Sequence, residues 1–277
     1  MMKNFLVRFF AVVFIQLLCY SFLDAQNSTV GARSAAMGNA SVPFSDIWSS
    51  YNNQSGLAWL EKMEVGAFYE NRFLLSELSS QGLAFAAPVK KVGTLGFNFN
   101  RFGYTQYHEN KFGFAYARKF GPIFSAGIQI NLHWIHIGQG YGDLVTASGE
   151  LSFQVRPMPK WVIAAHVFNP TRTPLASYNR ENITTVFRLG TSYLFSDKLL
   201  VSVEASTDIE FNPTVRAGIE YHTAQPLYLR IGFNSNPVSP TFGFGLQLKN
   251  FRMDAAAGWQ PVLGFSPQAS LSYRIGK

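Results

Sequence analysis

Residues 124–135 read FSAGIQINLHWI, and the alternation along them is strict. Phe124, Ala126, Ile128, Ile130, Leu132 and Trp134 fall on one face, Ser125, Gly127, Gln129, Asn131 and His133 on the other. Successive side chains of a strand point to opposite sides, so one face suits lipid and the other suits water. The run exceeds the roughly 5–6 residues of an ordinary soluble strand and suits a tilted strand crossing a bilayer, which needs about 9–11.

The same pattern recurs outward from this stretch. Val145, Ala147, Leu151, Phe153 and Val155 oppose Thr146, Ser148, Glu150, Ser152, Gln154 and Arg156; Val215, Ala217, Ile219 and Tyr221 oppose Thr214, Arg216, Glu220 and His222. Further segments of this kind between Met63 and Ile275 bring the total to about 14, an even number within the range of bacterial outer-membrane barrels. No segment after the N-terminus has the run of about 18 apolar residues that a membrane helix requires. Composition agrees: 26 Phe and 12 Tyr favour strands, and only 14% of residues are charged, against about 25% in soluble domains. The sequence therefore predicts an all-β fold, a transmembrane antiparallel β-barrel of about 14 strands. Gly138 to Leu144, Asn169 to Ile183 and Asn234 to Pro240 read as its longer outer loops, and Pro88 to Val92, Gly121-Pro122, Phe195 to Lys198 and Lys249-Asn250 as its short turns.

The chain opens with Lys3 and Arg8 around an apolar run from Phe5 to Leu18, followed by Ala25 before Gln26, which reads as a signal peptide over residues 1–25. Cys19, preceded by Leu18 rather than a small residue, reads as part of that signal and not as a lipid-attachment site. Cleavage after Ala25 leaves no cysteine, which excludes disulfides, thiolate nucleophiles and cysteine metal sites. The net charge of +7 includes no Lys/Arg run or basic helix, so nucleic acid is not an expected partner.

Residues 26–61 break the alternation. They contain Gly31-Ala32-Arg33-Ser34-Ala35-Ala36-Met37-Gly38-Asn39-Ala40 and, later, Asn53-Gln54-Ser55-Gly56-Leu57-Ala58. Small residues permit close backbone packing, and Asp46 can cap a short helix beginning near Ile47, so this segment is expected to be a short, partly helical plug ahead of a barrel over 62–277. The two motifs resemble those of the PorV and PorQ family of Bacteroidota outer-membrane proteins, related to the fatty-acid transporter FadL, whose mature N-termini read G-A-R-x-x-A-M-G-x-A and later N-P-A-G-L-A. Gln54 departs from that pattern by standing where the wider family has Pro. The resemblance implies a plug or hatch shaped by Gly31, Arg33, Met37, Gly38, Asp46, Asn53, Gly56 and Leu57.

Charged residues fall mostly on the polar phase of their strands. Glu150, Arg156, Arg188, Glu204, Arg216, Glu220, Arg230 and Arg274 are expected to point into the lumen and to pair across strands there. His133 and His136, three apart on a strand, face opposite ways, which argues against a metal pair. Gly138-Gln139-Gly140-Tyr141-Gly142-Asp143 lacks the Lys-Ser/Thr and the helix of a phosphate loop. Ser148, His133 and Asp143 contain the residue types of a hydrolytic triad, but sequence alone does not place them together. No catalytic residue, metal or cofactor is expected. The resemblance implies a non-enzymatic protein of the cell outer membrane, in contact with its lipid, serving as an accessory or docking component for type IX secretion and meeting secretion-system or cargo proteins. The alternative it carries is a FadL-like transporter whose partner is a hydrophobic small molecule.

Overall fold

The computed structural model describes residues 29–140, 142–174, 182–208, 213–224 and 226–276; the signal-peptide expectation for residues 1–25 lies outside them. Fourteen antiparallel strands close into one barrel in which each pairs with its neighbours in sequence and the last pairs with the first. They are β1 Met63–Asn71, β2 Ser79–Val89, β3 Gly93–Gly103, β4 Tyr107–Phe120, β5 Phe124–Ile137, β6 Gly142–Met158 and β7 Trp161–Phe168. The second half comprises β8 Val186–Ser196, β9 Leu199–Asp208, β10 Thr214–Ala224, β11 Leu227–Ser235, β12 Val238–Leu248, β13 Phe251–Gln260 and β14 Gly264–Ile275. Closure runs from Met63 opposite Ile275 to Glu70 opposite Gln268.

Burial follows the period-two reading. On β5, Ser125, Gln129 and Asn131 are buried in the interior while Ile128, Ile130 and Leu132 are exposed outward. β6 does the same, with Ser148, Glu150, Ser152 and Gln154 inside and Val145, Leu151 and Phe153 outside. The polar phase is thus the buried one, the inverse of a soluble protein, and the apolar outer face suits hydrocarbon. Register shifts are confined to β6–β7, β8–β9 and β10–β11, each near the end of the barrel that also carries the start of β1 and the end of β14.

That termini end has short turns, such as 90–92, 121–123, 159–160, 197–198 and 249–250, whereas the opposite end carries the longer passages from Asn71 to Ser79 and from Phe168 to Val186. Two expected loops are corrected. Asn234 to Pro240 is not a loop: β11 runs to Ser235 and β12 starts at Val238, leaving a turn at 236–237. Its prolines mislead because Pro240 lies inside the ladder opposite Phe233. Likewise β5 extends to Ile137 and β6 begins at Gly142, so the glycine-rich stretch is mostly strand end and a tight turn.

Residues 29–60 occupy the lumen. A five-residue helix, Ala32–Ala36, lies against β11 to β14, and a one-turn helix, Ser49–Asn52, leads into a 3-10 segment, Gln54–Trp59, against β3 to β6. The helix expected near Ile47 begins two residues later, because Asp46 Oδ1 accepts the Trp48 N–H at 3.0 Å and so closes a turn ahead of it.

A charge in the middle of the outer face should destabilise the barrel. Ile130 is 67% exposed at the centre of β5, so Ile130→Lys is expected to cost about 2–4 kcal/mol. Val262→Lys, in the turn between β13 and β14 and 83% exposed, should be close to neutral. Denaturant unfolding in lipid vesicles, followed by tryptophan fluorescence, measures both.

Candidate functional site: the plugged lumen

Three barrel carboxylates hold the plug, each on a different part of the wall. The first is Glu220 on β10. Arg33 grips it bidentately, Nε to Oε2 at 2.9 Å and Nη2 to Oε1 at 2.7 Å, while its Nη1 reaches Asp46 at 3.1 Å. The guanidinium also lies 4.3 Å from the Phe44 ring centroid. Arg33 therefore ties two parts of the plug to one another and to the wall. Arg230 Nε adds a bond to Glu220 at 2.6 Å, Arg230 also pairs with Asp254 at 2.8 Å, and Arg252 bridges Glu220 and Asp254. Three guanidinium groups here meet Asp46, Glu220 and Asp254, so the buried charge balances, which a low-dielectric interior requires. Burial alone would lower the Arg33 pKa, but Glu220 and Asp46 hold it above its ordinary value, so it remains charged.

The second carboxylate, Glu204 on β9, accepts the backbone N–H groups of Ser41 and Val42 at 2.9 and 3.0 Å through Oε2. Its Oε1 takes Arg188 at 2.8 Å and Arg216 at 3.0 Å. Arg188 itself donates onward to Ser41 Oγ and to the Asn52 carbonyl.

The third is Glu150 on β6. Gln54 Nε2 donates to it at 2.6 Å, Asn131 Nδ2 at 2.8 Å and Gln129 Nε2 at 3.2 Å; His166 Nε2 lies 2.8 Å away and Lys111 Nζ 3.8 Å. The Gln54 side-chain amide is thus the plug's own donor to this carboxylate. Below this cluster Trp59 Nε1 donates to Ser125 Oγ at 2.9 Å, and its ring is flanked by Arg156 at 3.7 Å and Lys119 at 4.3 Å. Arg156 also donates to Ser45 Oγ at 2.7 Å.

The motif residues have distinct placements. Gly38 (φ +66°) lies backbone-to-backbone on the wall: a Cβ there would stand 2.5 Å from the Phe233 carbonyl oxygen, and a Cβ on the facing Gly232 would stand 2.1 Å from Gly38 N. Only glycine fits on both sides. Thr241 Oγ1 completes this contact, accepting from Gly38 N at 2.9 Å and donating to the Ala36 carbonyl at 3.0 Å. Met37 is fully buried over Gly218, and Gly31 packs under the Trp48 ring. Asn53 donates to the Val42 carbonyl and accepts from Ser55, Gly56 abuts the Phe44 carbonyl, and Leu57 sits in an apolar cluster with Ile47, Trp48 and Tyr51.

Of the lumen charges read from the strands, seven gather around the plug directly or through one carboxylate. Arg274 does not: it pairs with Glu64 across the β1–β14 seam at 2.9 Å and is 49% exposed. Arg252 and Asp254, also on the polar phase of their strand as the sequence predicts, complete the Glu220 cluster, whereas Lys111 and His166 complete the Glu150 cluster and were not singled out, although each lies on the inward phase of its strand. His133 Nε2 lies 2.8 Å from Ser148 Oγ inside the lumen, but Asp143 is bound to His136 on the outer face, so the three do not form a triad. Among the described residues no three His, Cys, Asp or Glu side chains group as metal ligands.

No family model and no curated protein matches the chain. Solved structures do match over nearly their whole length. The CymD monoaromatic hydrocarbon channel superposes with a TM-score of 0.74 at 14% identity, covering 91% of this chain and 99% of that one. The toluene transporter TbuX of Ralstonia pickettii gives 0.69 at 13%, covering 91% and 100%, and a FadL homologue of Pseudomonas aeruginosa 0.65 at 11%, covering 90% and 99%. The fold is that of the FadL-like barrels. At these identities the likeness is one of architecture, and none of it points to PorV or PorQ.

Removing a plug-holding carboxylate should cost far more than removing a rim pair. Glu204→Ala takes the carboxylate away from two buried arginines and two plug N–H groups and is expected to lose about 3–5 kcal/mol. Arg274→Ala should lose about 1 kcal/mol or less. The temperature at which the folded barrel loses its fast gel migration reads the difference.

Proposed function

We propose that this chain is a non-enzymatic outer-membrane barrel of FadL type that takes a hydrophobic small molecule from outside into the half of its lumen beyond a fixed plug. Residues 1–25 serve as its export signal. The short-turn end bearing the termini faces the periplasm and the long-loop end faces outward, the usual asymmetry of such barrels.

The observation that carries this reading is the meeting of a buried apolar cluster with polar side chains on the outer side of the plug. Phe168, Ile183 and Val186 form an apolar cluster near the outer end, and beside it stand the partly exposed Lys111, His133 and Thr146. Lys111 Nζ lies 5.7 Å from the Phe168 ring centroid, so a cationic group adjoins the apolar cluster. A few polar groups against an apolar wall are what small-molecule sites offer. Further support comes from the solved barrels of the same architecture, described as a monoaromatic hydrocarbon channel and a toluene transporter. The plug takes no part as a sliding gate here, since movement would break the Arg33, Glu204 and Glu150 contacts together.

The second reading, an accessory or docking role in type IX secretion, rests on the resemblance of Gly31 to Ala58 to PorV and PorQ. One comparison separates the two. The purified barrel should bind toluene or a fluorescent fatty acid, and Phe168→Ala should weaken binding at least fivefold while fast gel migration persists. Absence of binding to either probe, together with lost protein secretion in a deletion strain, would replace the transporter with the docking component.

A further inference from the structure

The outward-facing positions of the strands carry Asp, Glu, Lys, Arg or His side chains in two places only among the described residues. One is Arg118, near the periplasmic end of β4. The other is a group on four adjacent strands at the outer end: Arg101 on β3, His108 on β4, His136 on β5 and Asp143 on β6. Register brings them together, since His108 stands opposite His136 and His136 opposite Asp143. The two imidazole rings lie 4.9 Å apart, and His136 Nδ1 is 2.5 Å from Asp143 Oδ1. Arg101 pairs with no carboxylate among the described residues.

The row beside this group is rich in donors. Tyr69, Gln81, Arg101, Asn110 and Trp134 stand opposite one another across β1 to β5. The next outward-facing row towards the periplasm, Leu83, Phe99, Phe112 and Leu132, is wholly apolar, with the Phe99 and Phe112 rings 4.9 Å apart. Height fixes what can meet these rows. On β5 the apolar face runs from Phe124 to Trp134, and ten steps of about 3.4 Å on a strand tilted by about 35–45° span the roughly 25 Å of an outer-membrane apolar band. His136 is the next outward residue, at the level of the head groups.

We propose that this patch of outer wall is a lipid site, in which Arg101, His108 and the amide of Gln81 bind the phosphate-bearing head group of an outer-leaflet lipid while its acyl chains lie on Phe99, Phe112 and Leu132. The guanidinium matches phosphate as a planar fork. Asp143 Oδ1 is engaged by His136 Nδ1 on the side of the patch away from Arg101. The site rests on the outward orientation proposed above but not on any cargo in the lumen.

Native mass spectrometry of the detergent-solubilised full barrel tests it, with bisphosphorylated lipid A as the probe. Wild type should retain the lipid, Arg101→Gln with His108→Gln should retain at least fivefold less, and Arg118→Gln should match wild type. Dephosphorylated lipid A should be held no better by wild type than by the double variant. Equal retention of both lipids, equal retention by all three proteins, or binding of inorganic phosphate without lipid would overturn the proposal. Fast gel migration of each variant reports folding, and a tag inserted at Val262, stained on intact cells, tests the orientation separately from lipid binding.

Discussion

In hydrocarbon no water is present to satisfy a stray N–H or C=O, so every backbone polar group of a spanning strand needs a protein partner. The pairing of β14 with β1 meets that requirement by removing both sheet edges. Much else follows from closure. A closed ladder gives every strand one outward and one inward face, and the outward face must be apolar. The inward face then inherits the polar residues and has to satisfy them without bulk water.

The plug answers that second demand. Under the plug Glu220, Glu204 and Glu150 are buried charges, and each is neutralised by cations and by donors from both wall and plug. The assignment of donors differs among them: a side-chain guanidinium for Glu220, main-chain N–H groups for Glu204 and a side-chain amide for Glu150. The plug therefore completes the interior of the wall as much as it fills the hole. Such distributed tethering favours a fixed partition over a hinged one, which is why the proposed cargo site lies on its outer side.

The strands were legible in sequence because their signal is local. β1, β7 and β13 begin and end where alternation does, and barrel closure needed only an even number of long strands. Errors arose where local chemistry conflicts with pairing: Pro237 and Pro240 read as loop, yet the β11–β12 hairpin passes through them. The clusters were half legible. Phase placed Glu150 and Glu204 inside, but the meeting of Glu150 with Lys111 and His166 depends on register across four strands, which no short stretch encodes. Ser148, His133 and Asp143 separated for the same reason, since an odd step along β6 puts Asp143 on the far side of the wall from Ser148. The N-terminal motifs suggested a family, whereas whole-chain architecture aligns with FadL-like barrels, because a short small-residue motif records how a plug packs more than what the barrel carries.

The seat of the Ala32–Ala36 helix also bears on how the molecule assembles. Its first N–H bonds Ser270, 238 positions along the chain, so this part of the plug awaits a partner made long after it. Contacts of such separation form late and carry a high loop-closure cost. Meanwhile β14 must also reach β1, which follows the plug almost directly. Sealing the seam and seating the plug are thus two outcomes of one encounter, between β14 and the stretch formed by the plug and β1. Nascent strands can curl around the N-terminal segment as around a mandrel, and a finished, empty cylinder need never exist.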